Sequence, residues 1–167
     1  MTDTVQLRDA TETDLPIFYQ QQLDPEAIYM AAIPTRDEDG FMSHWSKVLI
    51  DDSILIKTIL FHGDVAGNIV CFDQLGEREV GYWLGKEYWG QGIASAALKQ
   101  FLELIETRPL YAHVAKHNIA SKRVLEKCGF NVVAEDQFFS RVFGKDIEEY
   151  ILALDSPEPV NPDQLLP

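Results

Sequence analysis

Eleven residues, Gly85-Lys86-Glu87-Tyr88-Trp89-Gly90-Gln91-Gly92-Ile93-Ala94-Ser95, constrain this chain more than any other stretch. They follow a strand-like run, Glu79 to Leu84, and they open a helix. From Gly92 to Glu106 the apolar residues Ile93, Ala97, Phe101, Ile105 and Ala94, Leu98, Leu102 recur every four positions, the pattern of a helix laid against a sheet. Small residues at 90, 92 and 94 let a ligand approach the main chain. The free N–H groups of the first helical turn, at the positive end of its dipole, bind phosphate oxygens. A pyrophosphate suits that place, although a glycine-rich turn that merely starts a helix accounts for the same residues without a ligand.

The remaining chain supplies the sheet. Val5 to Asp9 alternates apolar and polar as a half-buried strand, and Thr11-Glu12-Thr13-Asp14 before Leu15, Ile17 and Phe18 reads as a capped helix, interrupted at Asp24-Pro25. A second helix is expected between Asp37 and Asp51, with Phe41, Trp45, Val48 and Leu49 on one stripe. Ile54 to Phe61, Val65 to Phe72 and Glu79 to Leu84, separated by glycine-containing polar breaks, predict an antiparallel meander. After Thr107-Arg108-Pro109 stops the long helix, Leu110 to Ala115 reads as a strand and Ile119 to Cys128 as a helix. In that helix Ala120, Val124, Leu125 and Cys128 point inward, and Gly129 caps its end. Asn131 to Ala134 and Glu148 to Leu154 close the sheet. The order predicts an α+β fold, mixed α/β in character, with helices on the faces of one sheet. Residues 1–155 are expected to form a single domain, and 156–167, which hold four of the eight prolines, a Pro-rich and flexible tail.

Composition narrows the function. With 27 acidic against 14 basic side chains the formal charge is −13, which repels phosphate backbones and anionic lipid, so neither nucleic acid nor a membrane is the expected partner. A cationic small molecule or basic peptide fits better. Cys71 and Cys128 lack metal-ligand spacing and fall in apolar runs, which reads as packing in a reducing, cytoplasmic setting. The first residues lack a secretory pattern, and no stretch reaches the ~18 apolar residues of a membrane span.

Three phosphate-binding patterns compete for the glycine loop. A Rossmann fingerprint needs an acidic residue ~20 positions on, and Leu110 to Val114 has none. A P-loop needs Gly-Lys-Ser/Thr after its second glycine, where this chain has Ile93-Ala94. The coenzyme A pattern Gln/Arg-x-x-Gly-x-Gly/Ala fits as Trp89-Gly90-Gln91-Gly92-Ile93-Ala94. With Asn118-Ile119-Ala120-Ser121-Lys122-Arg123-Val124-Leu125-Glu126-Lys127-Cys128-Gly129-Phe130, similar to a second coenzyme-contacting helix, the chain resembles the GNAT acyltransferase superfamily. The resemblance reaches to about Leu154, and Trp89 in place of Gln/Arg is similar to the branch of Rim enzymes that acetylate ribosomal-protein N-termini.

The resemblance implies a mixed, mostly antiparallel, splayed sheet and an N-acetyltransferase that passes acetyl from acetyl-CoA directly to a primary amine, without a metal. Implied cofactor contacts are Trp89, Gly90, Gln91, Gly92, Ile93, Ala94, Ser95, Asn118 and Ser121. Many members carry a tyrosine where this chain has Leu125. Position 121 is one turn away on the same face, so Ser121 can donate a hydrogen bond to the leaving thiolate in its place. Glu79, or a water, is the expected base. Gly81 suggests a bulge that frees a backbone N–H. His113 is an auxiliary proton carrier or a hydrogen-bonded cleft residue, and its spacing to His117 does not suit a metal. The acceptor pocket is expected from Asp24-Pro25-Glu26-Ala27-Ile28-Tyr29-Met30, with two carboxylates for a cationic amine, and from Phe138-Phe139-Ser140-Arg141. A non-catalytic acyl-CoA sensor and a nucleotide-dependent oxidoreductase remain the alternatives, and monomer and homodimer are both open.

Overall fold

Among the described residues, seven strands build one sheet in the order β1-β2-β3-β4-β5-β7-β6. The computed structural model describes residues 4–155, and the Pro-rich tail lies outside them. The strands are β1 (Val5–Asp9), β2 (Leu55–Phe61), β3 (Asp64–Gln74), β4 (Glu77–Leu84), β5 (Leu110–Ala115), β6 (Asn131–Ser140) and β7 (Lys145–Leu154). The expected meander is present as antiparallel β2, β3 and β4. Every neighbouring pair is antiparallel except β4 and β5, which run parallel and pair only at Glu79↔Tyr111. Beyond that point the two strands diverge, and the sheet is splayed. Register between β3 and β4 runs unbroken through Val70↔Gly81, so the bulge expected at Gly81 is absent and strand divergence opens the β4 edge instead.

Five α-helices among the described residues flank the sheet: α1 (Leu15–Gln22), α2 (Pro25–Ala31), α3 (Glu38–Ile50), α4 (Ile93–Leu102) and α5 (Ile119–Lys127). The four-residue apolar repeat puts Ile93, Ala97, Leu98 and Phe101 of α4 against Ile59, Ile69, Cys71, Val80 and Leu110, all buried. Burial of each large side chain there contributes about 1.5–3 kcal/mol. α1 and α3 cover the opposite face through Leu15, Phe18 and Phe41.

Several expected bounds shift. The interruption at Asp24-Pro25 is present between α1 and α2, and it also begins the next helix: Asp24 accepts from the Glu26 and Ala27 N–H groups and Pro25 starts α2. α4 ends at Leu102 rather than Glu106, because the Leu104 and Ile105 N–H groups close turns onto the Phe101 and Leu102 carbonyls and the Arg108 guanidinium donates to the Ile105 carbonyl. Ala120 is exposed rather than inward. The closing strands are longer than expected, with β6 reaching Ser140 and β7 starting at Lys145. Among the described residues no helix is long and apolar enough to cross a membrane.

Candidate active site

Side chains alternate between sheet faces. On β4 that puts Glu79, Gly81 and Trp83 toward α1 and α2, and Val80 and Tyr82 toward α4 and α5. Where β4 and β5 part, both sets border the same space.

On the α4 side, a cavity of about 220 Å³ is lined by Ala27, Met30, Trp89, Gly90, Ala94 and Asn118, among others. Gly90 and Gly92 adopt left-handed φ of 75° and 77°. A β-carbon at either would meet nothing within 4 Å, so backbone conformation rather than crowding requires glycine, and open space lies over the loop. No side chain caps the first turn of α4. The donor set, an uncapped helix start behind two open glycines, fits a pyrophosphate. Trp89 Nε1 donates to the Leu84 carbonyl at 3.1 Å, so the indole is pinned beneath the loop. Gln91 is exposed, with Nε2 donating to the Glu87 carbonyl at 3.0 Å. Ile93 and Ser95 are buried in packing, and what they offer a ligand is backbone.

α5 brings the second pair. Asn118 Oδ1 caps it by accepting from the Ser121 N–H at 3.3 Å, and the Gly129 turn seats the buried Phe130. Ser121 Oγ lies 2.8 Å from the Tyr82 hydroxyl, while Leu125, one turn on, is buried. Burial pushes the Tyr82 phenol up to about 12, more than the Ser121 hydrogen bond lowers it.

A second cavity, of about 600 Å³, reaches from Ser121 and Tyr82 to Glu79, His113 and Glu149, and its apolar wall includes Ile33, Phe72 and Phe138. Glu79 is only 5% exposed, so it is not a solvated strand-end carboxylate. His113 faces it with Nε2 at 2.5 Å and faces Glu149 with Nδ1 at 2.9 Å. Burial raises Glu79 above the ordinary carboxylate range, His113 opposes that rise, and Glu77 and Glu149 add to it. His117 is apart from this group, its ring tilted against Tyr29 and edge-on to Phe143.

The carboxylates expected to meet a cationic amine on α2 are otherwise engaged. Asp24 caps the helix and Glu26 pairs with Lys86 at 2.7 Å. Met30 and Ala31 of that helix line the cavity instead. Phe138 lines it too, whereas Phe139 is exposed and Ser140 is buried against the Ala32 carbonyl. Tyr82 and Glu149 had no assigned role from sequence. Strand parity along β4 is the signal for Tyr82, which falls on the α4 and α5 face, whereas Glu149 reaches the site through the pairing of β7 with β5, which no local pattern announces.

Residues 4–131 match the family model described as an acetyltransferase (GNAT) domain. The Bacillus subtilis (strain 168) protein YdaF, provisionally named a ribosomal N-acetyltransferase, is 26% identical over 133 residues, covering 74% of this chain and 73% of YdaF. The microcin C7 self-immunity acetyltransferase MccE, solved in complex with acetyl-CoA and AMP, superposes with a TM-score of 0.77 at 19% identity over 92% of this chain and 93% of that one. RimL, a ribosomal L7/L12 α-N-protein acetyltransferase, does so with 0.75 at 20% identity over 92% and 91%. Its matched domain and its splayed sheet agree: the chain belongs to the GNAT family of acetyltransferases.

Proposed function

We propose that this enzyme passes the acetyl group of acetyl-CoA directly to a primary amine, with Glu79 as the base and Ser121 as the donor to the leaving sulfur. The observation that carries this reading is one cavity that borders Glu79 on one side of the β4–β5 gap and Ser121 on the other. In this reading the Gly90 to Ser95 loop and helix start hold the pyrophosphate, Trp89 and Ala94 wall the groove, and Asn118 touches pantetheine while capping α5. Acetyl-CoA supplies the activated acyl group. The chain holds amine and carbonyl together, which removes much of the entropic barrier.

Glu79 takes the amine proton, directly or through water, and its raised affinity for protons suits that task near neutrality. As the carbon–sulfur bond breaks and its electron pair moves to sulfur, the Ser121 hydroxyl donates a hydrogen bond there. The acceptor cavity combines Glu79, Glu149 and Asp136 with Met30, Ile33, Phe72 and Phe138. That lining suits one ammonium beside an apolar group, as at a polypeptide N-terminus, and the ribosomal-protein names of YdaF and RimL point the same way.

A mass-spectrometric screen with acetyl-CoA and peptides, lysine derivatives, polyamines and aminoglycosides tests the reading. Acetylation of peptide α-amines is expected. Acetyl-CoA bound in calorimetry without transfer to any amine would make the protein a sensor rather than a transferase.

A further inference from the structure

We propose that Tyr82 is a positioning residue, whose hydroxyl donates to Ser121 Oγ and thereby aims the serine's own hydrogen at the leaving sulfur. This rests on the acetyl-CoA reading above and adds a residue to it.

Each hydroxyl carries one hydrogen and can both donate and accept. The Tyr82 hydroxyl lies 2.8 Å from Ser121 Oγ and 3.5 Å from the Ser121 carbonyl. If serine donated to tyrosine, its only hydrogen would be used up, and the phenolic hydrogen would be left with the carbonyl at the far limit of hydrogen bonding. If tyrosine donates, its hydrogen takes the short contact, and the Ser121 hydrogen is free to point into the cavity that both residues line. Donation into Oγ also polarises the serine hydroxyl and strengthens what it donates onward. Asn118 holds the same residue by its backbone N–H, so Ser121 is oriented at both ends.

Full proton transfer is the wrong description of this pair. Burial pushes the Tyr82 phenol up to about 12, above an ordinary thiol near ~8.5, so a thiolate is the weaker base and does not take the phenolic proton. The pair acts as a fixed donor to negative charge on sulfur. The proton that finally makes the thiol comes from solvent after the bond has broken.

The test titrates the thiol of enzyme-bound coenzyme A by the ultraviolet absorbance of its thiolate in wild type, Tyr82→Phe, Ser121→Ala and the double variant. A donor aimed at sulfur lowers the pH at which thiolate forms. Tyr82→Phe keeps the ring and removes only the hydroxyl, so the fold is expected to survive. It should move the titration upward part of the way, Ser121→Ala should move it further, and the double variant should match Ser121→Ala. Tyr82→Phe should also lower kcat about three- to tenfold with KM for acetyl-CoA nearly unchanged, the loss of one hydrogen bond felt in the transition state. A shift with Ser121→Ala but none with Tyr82→Phe overturns the role of Tyr82 and leaves Ser121 standing. Losses that multiply in the double variant overturn the relay through Ser121. Failure of coenzyme A to bind, or a titration that Ser121→Ala leaves in place, removes the reading of the site itself and this inference with it.

Discussion

Asp14 offers the firmest quantitative prediction. Its carboxylate is buried, with Oδ1 and Oδ2 taking two bonds from the Arg8 guanidinium at 2.8 and 2.7 Å, and Oδ2 also taking the Thr11 N–H at 3.0 Å and the Thr58 hydroxyl at 2.7 Å. One side chain therefore joins β1, the start of the first helices and β2. The Arg8 hydrogen bonds outweigh burial and hold the Asp14 carboxyl at about 2, against 3.8 when free. A lowered folded value means the native state holds the charged form more tightly, so the stabilisation is present above the unfolded value and is lost as pH falls through the folded one. That difference amounts to about 2.4 kcal/mol at neutral pH, of which about 1.3 kcal/mol is left at pH ~3. Solvent around Arg8, 40% exposed, brings the working figure nearer to about 2 kcal/mol. Urea unfolding of wild type and Asp14→Asn should be compared from pH 7 down to 3, because the difference between the two cancels the titration of the other acidic residues. The gap should narrow by about 1 kcal/mol over that range. A gap that stays constant would show that Asp14 acts through shape and hydrogen bonding alone.

Gly92→Glu should abolish acetyl-CoA binding in calorimetry, while Gly92→Asn, which tolerates a left-handed φ and adds no charge, should weaken it less; undiminished binding by a folded Gly92→Glu protein would remove the pyrophosphate assignment. Glu79→Gln should lower kcat about a hundredfold or more for a lysine-like amine, titrating near ~10.4, and less for a peptide α-amine near ~8. Equal losses for both would mark Glu79 as a positioning group. In a kcat/KM pH profile the acid limb should lie above the ordinary carboxylate range, move up in His113→Gln and move down in Glu149→Gln, following the opposite effects of those neighbours. Ser121→Ala should cost about ten- to a hundredfold in kcat with little change in acetyl-CoA affinity, and full activity where chemistry limits turnover would end its candidacy.

Much of this site was legible because its signals are local. Asn118 three residues before Ser121, Gly129 before Phe130, and glycines at 90 and 92 each announce one turn of backbone, and each takes the conformation its chemistry requires. What escaped depends on distant partners. Asp24 and Glu26 look like free carboxylates until α2 uses one as a cap and Lys86 neutralises the other. Ile105 continues the helical repeat and is buried, yet it gets there through a turn, so periodicity alone overran the end of α4. Most of β6 is exposed as an edge strand, which left no alternation to mark its length. Glu149 joins Glu79 only because β7 sits beside β5, a neighbour relation set by topology.

α2 stands between the two cavities. It has seven residues, too few for a helix to persist alone, and it contributes Met30 and Ala31 to both cavities. Its end is held from far along the chain: the Ser140 hydroxyl donates to the Ala32 carbonyl at 2.7 Å, and His117 Nε2 donates to the Tyr29 carbonyl at 2.7 Å. A substitution at Ser140 that moved this end of α2 would reshape both cavities at once. Replacements that reshape one cavity at this wall would then be felt in the other.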